Sequence, residues 1–253
     1  MRKYYGEIAL IVVIIMSLGA SVFGTETATN DAVVTMVQGT ARVFAKSVTT
    51  GRILKKGDKI KKEDEIKVAE QSRLEMRFPD GTVMRLGEKS QLRMSEVSYN
   101  VKTEGKTVRV NLSVGKVWAK VKKLITQDSS VVVETSNAVA GVRGTVYRVN
   151  VEDDKSAMVK VYDGSVYVAS PPKETEGKPP LQVSKPAEVP GPREVPPPYH
   201  QVTMEEWTYI VKAMQQISIS PQGIATQPQD FDPKTDADEW VRWNQERDTL
   251  TKY

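Results

Sequence analysis

The run from Val131 to Val151, VVVETSNAVAGVRGTVYRVNV, constrains the fold more than any other stretch. Three consecutive valines lead into small residues at Ala138-Val139-Ala140-Gly141. Val142-Arg143-Gly144-Thr145 follows, and then Tyr147, Val149 and Val151 alternate with polar neighbours. β-branched runs broken by glycine read as strands, and a glycine within such a pattern marks a bend or a close backbone approach. The stretch therefore predicts two strands joined by a tight crossing in which a bulky side chain would not fit between layers. Arg143 is the cation of that corner. Its planar fork of five donors suits it to tying strand-end carbonyls together, and this structural role is favoured over ligand binding.

The preceding hundred residues follow the same grammar. Val33 to Phe44 reads as a strand region with a bend at Gly39. Lys55-Lys56-Gly57-Asp58 is a turn, and Ile60, Ile66 and Val68 mark short strands. The lysines there alternate with Glu63, Asp64 and Glu65, a solvated loop face rather than a binding patch. Leu74 to Leu86 carries the best local hairpin signal. A three-residue Pro79-Asp80-Gly81 loop pairs Met76 with Met84 and Leu74 with Leu86, whereas a two-residue turn would put Arg85 on the apolar face. Val108, Val110, Leu112 and Val114 alternate, and Val117, Ala119 and Val121 continue that face beyond Gly115. Trp118 has the opposite parity and reads as a buried or interfacial structural residue rather than a ligand-stacking one. Farther on, Asp163-Gly164 predicts a two-residue hairpin pairing Val161 with Val166 and Val159 with Val168. Glu152-Asp153-Asp154 is an acidic hairpin tip, lacking the spaced ligands of a calcium loop. Glycines recur at 81, 115, 144 and 164, but at uneven spacing, so no strict repeat exists. Short strands, glycine turns and no helical period before residue 200 predict an all-β sandwich or jelly roll over residues 31–170.

Composition narrows the chemistry. The sequence has no cysteine and one histidine, His200, which leaves disulfide frameworks, thiol catalysis and cysteine–zinc sites out. Histidine triads and multi-histidine metal sites have almost nothing to build on, and no cofactor is expected. The net charge of +4 is spread through mixed signs, as on a solvated surface rather than a nucleic-acid footprint. Carboxylates such as Asp80 and Asp163 sit in turns whose geometry already explains them.

Both ends of the chain differ from the middle. Arg2 and Lys3 precede an apolar run from Ile8 to Leu18, and Val22 and Gly24 fit the −3 and −1 positions of a signal cleavage site. Residues 1–24 thus read as a secretory signal, or as an inner-membrane anchor if uncleaved. Ser21 stands where lipidation would need cysteine. Ten of the 14 prolines fall between Pro171 and Pro198, so residues 171–201 read as an extended linker or strap. In residues 202–253, Thr203-Met204-Glu205-Glu206 predicts a capping box. It would open a helix with Trp207, Ile210, Val211, Met214 and Ile217 in one stripe. A second short helix is expected after Asp232-Pro233, with Trp240, Trp243 and Leu250 on one side. The candidate partner stripe, Trp207, Val211, Met214, Trp240 and Trp243, can dock on the β domain or hold a partner or membrane surface. Docking is favoured, since exposed tryptophans are costly to leave wet. His200, beside the first helix start, reads as a linker residue.

Several pieces in order resemble the periplasmic FecR domain. They are Leu54-Lys55-Lys56-Gly57-Asp58, Leu74 to Leu86 with Phe78-Pro79-Asp80-Gly81-Thr82, Leu112-Ser113-Val114-Gly115-Lys116-Val117, Val133-Glu134-Thr135 through Thr145, and Val161 to Val166. The resemblance implies a jelly-roll-like β fold. In the name-giving proteins this domain is the outer half of an iron–siderophore uptake regulator, sensing a loaded transporter and signalling to a sigma factor. Seven residues precede the apolar N-terminal segment, which leaves no room for a cytoplasmic anti-sigma domain. Two functions are therefore expected as alternatives. One is a non-enzymatic exported binding or scaffold module with a protein or cell-wall partner in the envelope. The other is an extracytoplasmic sensory component acting with a separate membrane protein. Nucleic acid is not an expected partner, and membrane contact is expected only through an uncleaved N-terminus. Val142, Arg143, Gly144 and Thr145 form a structural or partner-binding motif.

Overall fold

The computed structural model of the protein describes residues 30–100, 105–123, 129–142, 144–172 and 207–250. Segment 1–24, most of the proline-rich linker, the Thr203–Glu206 capping box and Arg143 lie outside the described residues. The chain is built from short strands, consistent with the all-β sandwich expected. In order they are β1 (Ala32–Gln38), β2 (Ala41–Phe44), β3 (Arg52–Ile53), β4 (Lys59–Ile60), β5 (Glu65–Val68), β6 (Arg73–Arg77), β7 (Val83–Leu86) and β8 (Gln91–Asn100). There follow β9 (Gly105–Lys120), β10 (Ser130–Glu134), β11 (Val139–Val142), β12 (Val146–Val151), β13 (Ala157–Asp163) and β14 (Ser165–Ala169). After the linker come β15 (Thr208–Lys212), β16 (Gln215–Ile219), β17 (Gln229–Asp230) and the one α-helix among the described residues, α1 (Glu239–Leu250).

These strands pair into two sheets. The front sheet runs β4-β1-β6-β7-β9-β12-β13-β16-β17, and the back sheet runs β3-β2-β5-β8-β9-β10-β11-β14-β15. Strand β9 belongs to both: Gly105 to Val114 pair in the back sheet, Gly115 to Lys120 in the front. Gly115 makes that change of sheet possible. Its φ is +100°, and a Cβ there would sit 2.4 Å from the Ser90 Cα. The parity switch from Val108-Val110-Leu112 to Val117-Ala119-Val121 is the consequence, with all six side chains buried in one core.

The chain passes repeatedly between sheets, and these passages turn on residues with left-handed backbone, among them Gly39, Lys89, Gly144, Gly164 and Met214. That habit explains one correction. Strands β13 and β14 do not form the Asp163-Gly164 hairpin. Instead β13 pairs with β12 and β16 in the front sheet, and β14 with β11 and β15 in the back sheet. Val159, Val161, Val166 and Val168 are all buried in the shared core. Inward alternation satisfies that burial whether two strands lie side by side or in opposite sheets, so the valine pattern alone does not choose. Gly164, with φ +82° and 2.8 Å between a notional Cβ and the Gly144 carbonyl oxygen, is a crossing point.

The 74–86 hairpin has the three-residue loop. Leu74 pairs with Leu86 and Met76 with Met84, and the Phe78 amide donates to the Thr82 carbonyl at 2.9 Å. Residues 152–154 lie at the tip of the β12–β13 hairpin, as expected. The 131–151 stretch holds three strands rather than two: β10 and β11 form a back-sheet hairpin, and the chain then crosses to β12 in the front sheet. The tight point is Gly144, where a Cβ would meet the Lys123 Cα at 2.7 Å, and not Gly141, which has nothing within 4 Å.

The first C-terminal helix is also corrected. Residues 208–219 form the β15–β16 pair of strands, one extending the edge of each sheet. Val211, Ile217 and Ile219 are buried, so the apolar spacing that fits a helix also fits two strands at period 2. The open edges of β13 and β14 settled the choice, a tertiary override of a helical pattern. The second helix forms as α1, capped by Asp238, whose Oδ1 accepts the Val241 amide at 2.7 Å. Trp240 is buried and Trp243 half-buried, but Leu250 is 78% exposed and leaves that side. Among the described residues no helix is long and apolar enough to cross a membrane.

Candidate functional site

Because strand side chains alternate, the front sheet has a second face that the core does not use. Its register aligns one outward residue from each central strand. Glu75 pairs with Arg85, Arg85 with Trp118, Trp118 with Arg148, and Arg148 with Lys160. Such a row of charged side chains ordinarily lies in water. Here Glu75, Arg85, Trp118 and Arg148 are each less than 5% exposed, because residues 231–250 lie over them as a strap.

Two strap aspartates grip the row. Asp248 accepts from Arg85 Nη1 at 2.6 Å and from Trp118 Nε1 at 2.9 Å, and its carbonyl accepts from Lys120 Nζ at 2.8 Å. Asp236 accepts from Arg148 Nη2, Lys160 Nζ and the Tyr162 hydroxyl, each at 2.6 Å. At the β6 end of the row Glu75 accepts from Arg85 Nε at 2.7 Å, from Arg247 Nε and Nη2 at 2.8 and 3.0 Å, and from Thr35 Oγ1 at 2.7 Å. Arg73 closes the near end on Glu239 at 2.5 Å. The aromatic part is equally ordered. Trp118 lies against Tyr162 with centroids 4.5 Å apart, and Trp240 stacks on Trp243 at 5.3 Å. The Arg73 guanidinium sits 4.9 Å from the Trp243 centroid.

Electrostatics follow from this packing. Burial pushes the Glu75 carboxyl up, but its bonds to Arg247, Arg85 and Thr35 outweigh that and hold it at about 2. The Arg247 guanidinium is raised by the same Glu75 bond. Burial raises the Tyr162 hydroxyl, against the pull of Arg148 and with the help of the Asp236 bond. Glu75 is therefore ionised at neutral pH and suited to charge pairing rather than to proton transfer.

The residues singled out from sequence fall in three places. Val142 is buried at the end of β11, and Thr145 is buried with its hydroxyl on the Ser165 carbonyl at 3.0 Å, so with Gly144 they brace the crossing between sheets. Trp207 donates to the Gly223 carbonyl at 2.8 Å beside Tyr209, Val211 is in the core, and Met214 is 42% exposed at the β15–β16 turn. Only Trp240 and Trp243 join the strap. The partner stripe is thus divided between the back-sheet edge and the front face. Sequence reading missed Glu75, Arg85, Arg148, Lys160, Asp236 and Asp248. Strand parity placed Arg85 off the apolar face, and Trp118 was seen to be interfacial, but cross-strand register was needed to align them.

Residues 64–167 match the family model described as FecR protein. The FecR domain read from sequence motifs is present. Every member of the charged row lies inside the match, and the strap over it lies outside. No curated protein matches the chain. Two crystal structures of a candidate anti-sigma factor from Parabacteroides distasonis ATCC 8503 are similar at 17% identity, with TM-scores of 0.47 and 0.44. The alignments cover 72% and 67% of this chain and 64% and 61% of those chains, so less than two thirds of their length is spanned.

Proposed function

We propose that the protein is a non-enzymatic binding module of a FecR-type envelope signalling system. The observation that carries this reading is the continuous row Glu75-Arg85-Trp118-Arg148-Lys160, a preformed recognition surface within the FecR match. A row of fixed charges flanked by aromatic rings binds a complementary polypeptide segment. The chemistry argues against catalysis, because the charged groups are tied to one another in ion pairs and Glu75 is held at about 2, far from the pKa that general acid–base work needs. The module works outside the cytoplasm, exported by the N-terminal segment and held at the inner membrane if that segment is uncleaved. Intact-mass measurement of the exported protein distinguishes the two forms.

The sensory reading is favoured over a cell-wall scaffold by the FecR match, since a regulator needs a protein partner more than a polymer. Crosslinking in the envelope, followed by partner identification, tests it. The expected result is a specific protein partner, together with altered transcription under iron limitation or envelope stress when the gene is deleted. Recovery of cell-wall polymer alone with unchanged transcription supports the scaffold instead, and recovery of nothing specific overturns both.

A further inference from the structure

The strap leaves the row's bonding capacity incompletely used. Among the described residues Arg85 Nη2, Arg148 Nε and Gln216 Oε1 are buried with no hydrogen-bond partner. Gln216 extends the same row, pairing with Lys160. A buried donor without a partner is costly, so the cover seen here is a serviceable occupant of the surface rather than an ideal one. Its chemistry shows what the surface takes: Asp236 and Asp248 on the cations, with Trp240 and Trp243 between them. The cover follows directly from β17, whose pairing with β16 and the bond from the Phe231 amide to the Met214 carbonyl at 3.0 Å hold its near end. Only the C-terminal residues 231–250 therefore need to lift to bare the face.

We propose that the front face of the sandwich is a docking surface for an acidic, tryptophan-bearing segment of a partner protein, and that residues 231–250 are its built-in competitor. The cations Arg85, Lys120, Arg148 and Lys160 face Glu75 as the one acid of the row. Without the strap this face is cationic and aromatic, which selects an acidic partner and rejects a basic one. A tethered competitor lowers apparent affinity by the fraction of time the face is covered, so a partner must displace it to bind. The inference rests on the binding-module reading for its cellular partner, but its test uses the purified chain, so either can fail alone.

The probe is a fluorescein-labelled peptide of residues 231–250, titrated into full-length protein and followed by anisotropy. Asp236→Lys with Asp248→Lys uncouples the strap and leaves the row intact. This variant is expected to bind the peptide at least about ten-fold more tightly than the unsubstituted chain does. Adding Arg148→Asp and Lys160→Asp should abolish binding. A second measurement needs no variant: excess peptide should speed hydrogen exchange of the 239–250 amides in the unsubstituted protein, while a scrambled peptide should not. Equal affinity of the two chains, or no exchange change at saturating peptide, overturns the proposal. A concentration-dependent dimer of the uncoupled variant without peptide reassigns the surface to a second copy, and binding to anionic vesicles at equal strength reassigns it to lipid. Both results overturn it.

Discussion

Replacing Glu75 with glutamine keeps the shape of the row and removes the negative charge at its β6 end. The carboxylate is 3% exposed and accepts four hydrogen bonds from Arg85, Arg247 and Thr35. Its pKa falls from 4.5 to about 2 on folding. A depressed folded-state value means stabilisation that is complete above the unfolded pKa and is lost as pH falls toward the folded one. The shift corresponds to about 3 kcal/mol at pH 7, and to roughly half of that at pH 3. An independent estimate agrees, since removing one partner of a buried ion pair costs roughly 3–5 kcal/mol. Urea denaturation of both proteins at these two pH values checks the reasoning. Glu75→Gln should be less stable by about 3 kcal/mol at neutral pH, and the gap should narrow steadily on acidification. A gap independent of pH, or one below about 1 kcal/mol at pH 7, would refute the assignment of Glu75 as the charged partner of Arg85 and Arg247.

Other substitutions test the fold and the strap separately. Gly115→Ala should destabilise by at least about 2 kcal/mol in thermal unfolding, because the added methyl meets the Ser90 backbone in left-handed geometry. Gly141→Ala, which meets nothing within 4 Å, should shift stability by less than about 1 kcal/mol. Met214→Gly should raise stability by about 0.5 kcal/mol, the relief of a φ of 63° less the entropy glycine loses on folding. Trp118→Phe keeps the ring against Tyr162 but loses the donor to Asp248, costing about 1.5 kcal/mol and loosening α1, read as faster exchange of its amides.

Much of the fold is legible in the sequence because burial leaves a period-2 signature. Leu74-Met76 against Met84-Leu86, and Val108-Val110-Leu112 before Gly115, name their own faces, and proline with glycine in the 79–81 loop even sets the register. The signature is silent on which sheet a strand joins. Val159 to Val168 satisfy one core from opposite layers, and the same ambiguity let Trp207 to Ile217 read as a helix when the free edges of β13 and β14 called for strands. The candidate site was less legible for a related reason. Asp236 lies 88 residues from Arg148, and Asp248 lies 163 from Arg85. Ordinary surface charges in sequence become a buried row only when a distant segment covers them.

One set of strands therefore carries two layers of information. Inward side chains of β6, β7, β9, β12 and β13 build the core, and outward ones from the same strands build the row. A single-residue slip in any of these pairings would exchange the two faces, putting Arg85 or Arg148 into the core and Met84 or Val149 under the strap. The row thus inherits its precision from the packing of the sandwich and needs no loop to shape it. The cover is different in kind. It lies outside the FecR match, follows directly from β17, and meets the row through Asp236, Asp248 and Arg247, with Trp240 and Val241 in a buried cluster with Trp118. On the proposed reading, partner binding lifts only this C-terminal segment and leaves the strands of the sandwich paired, which is local opening rather than unfolding.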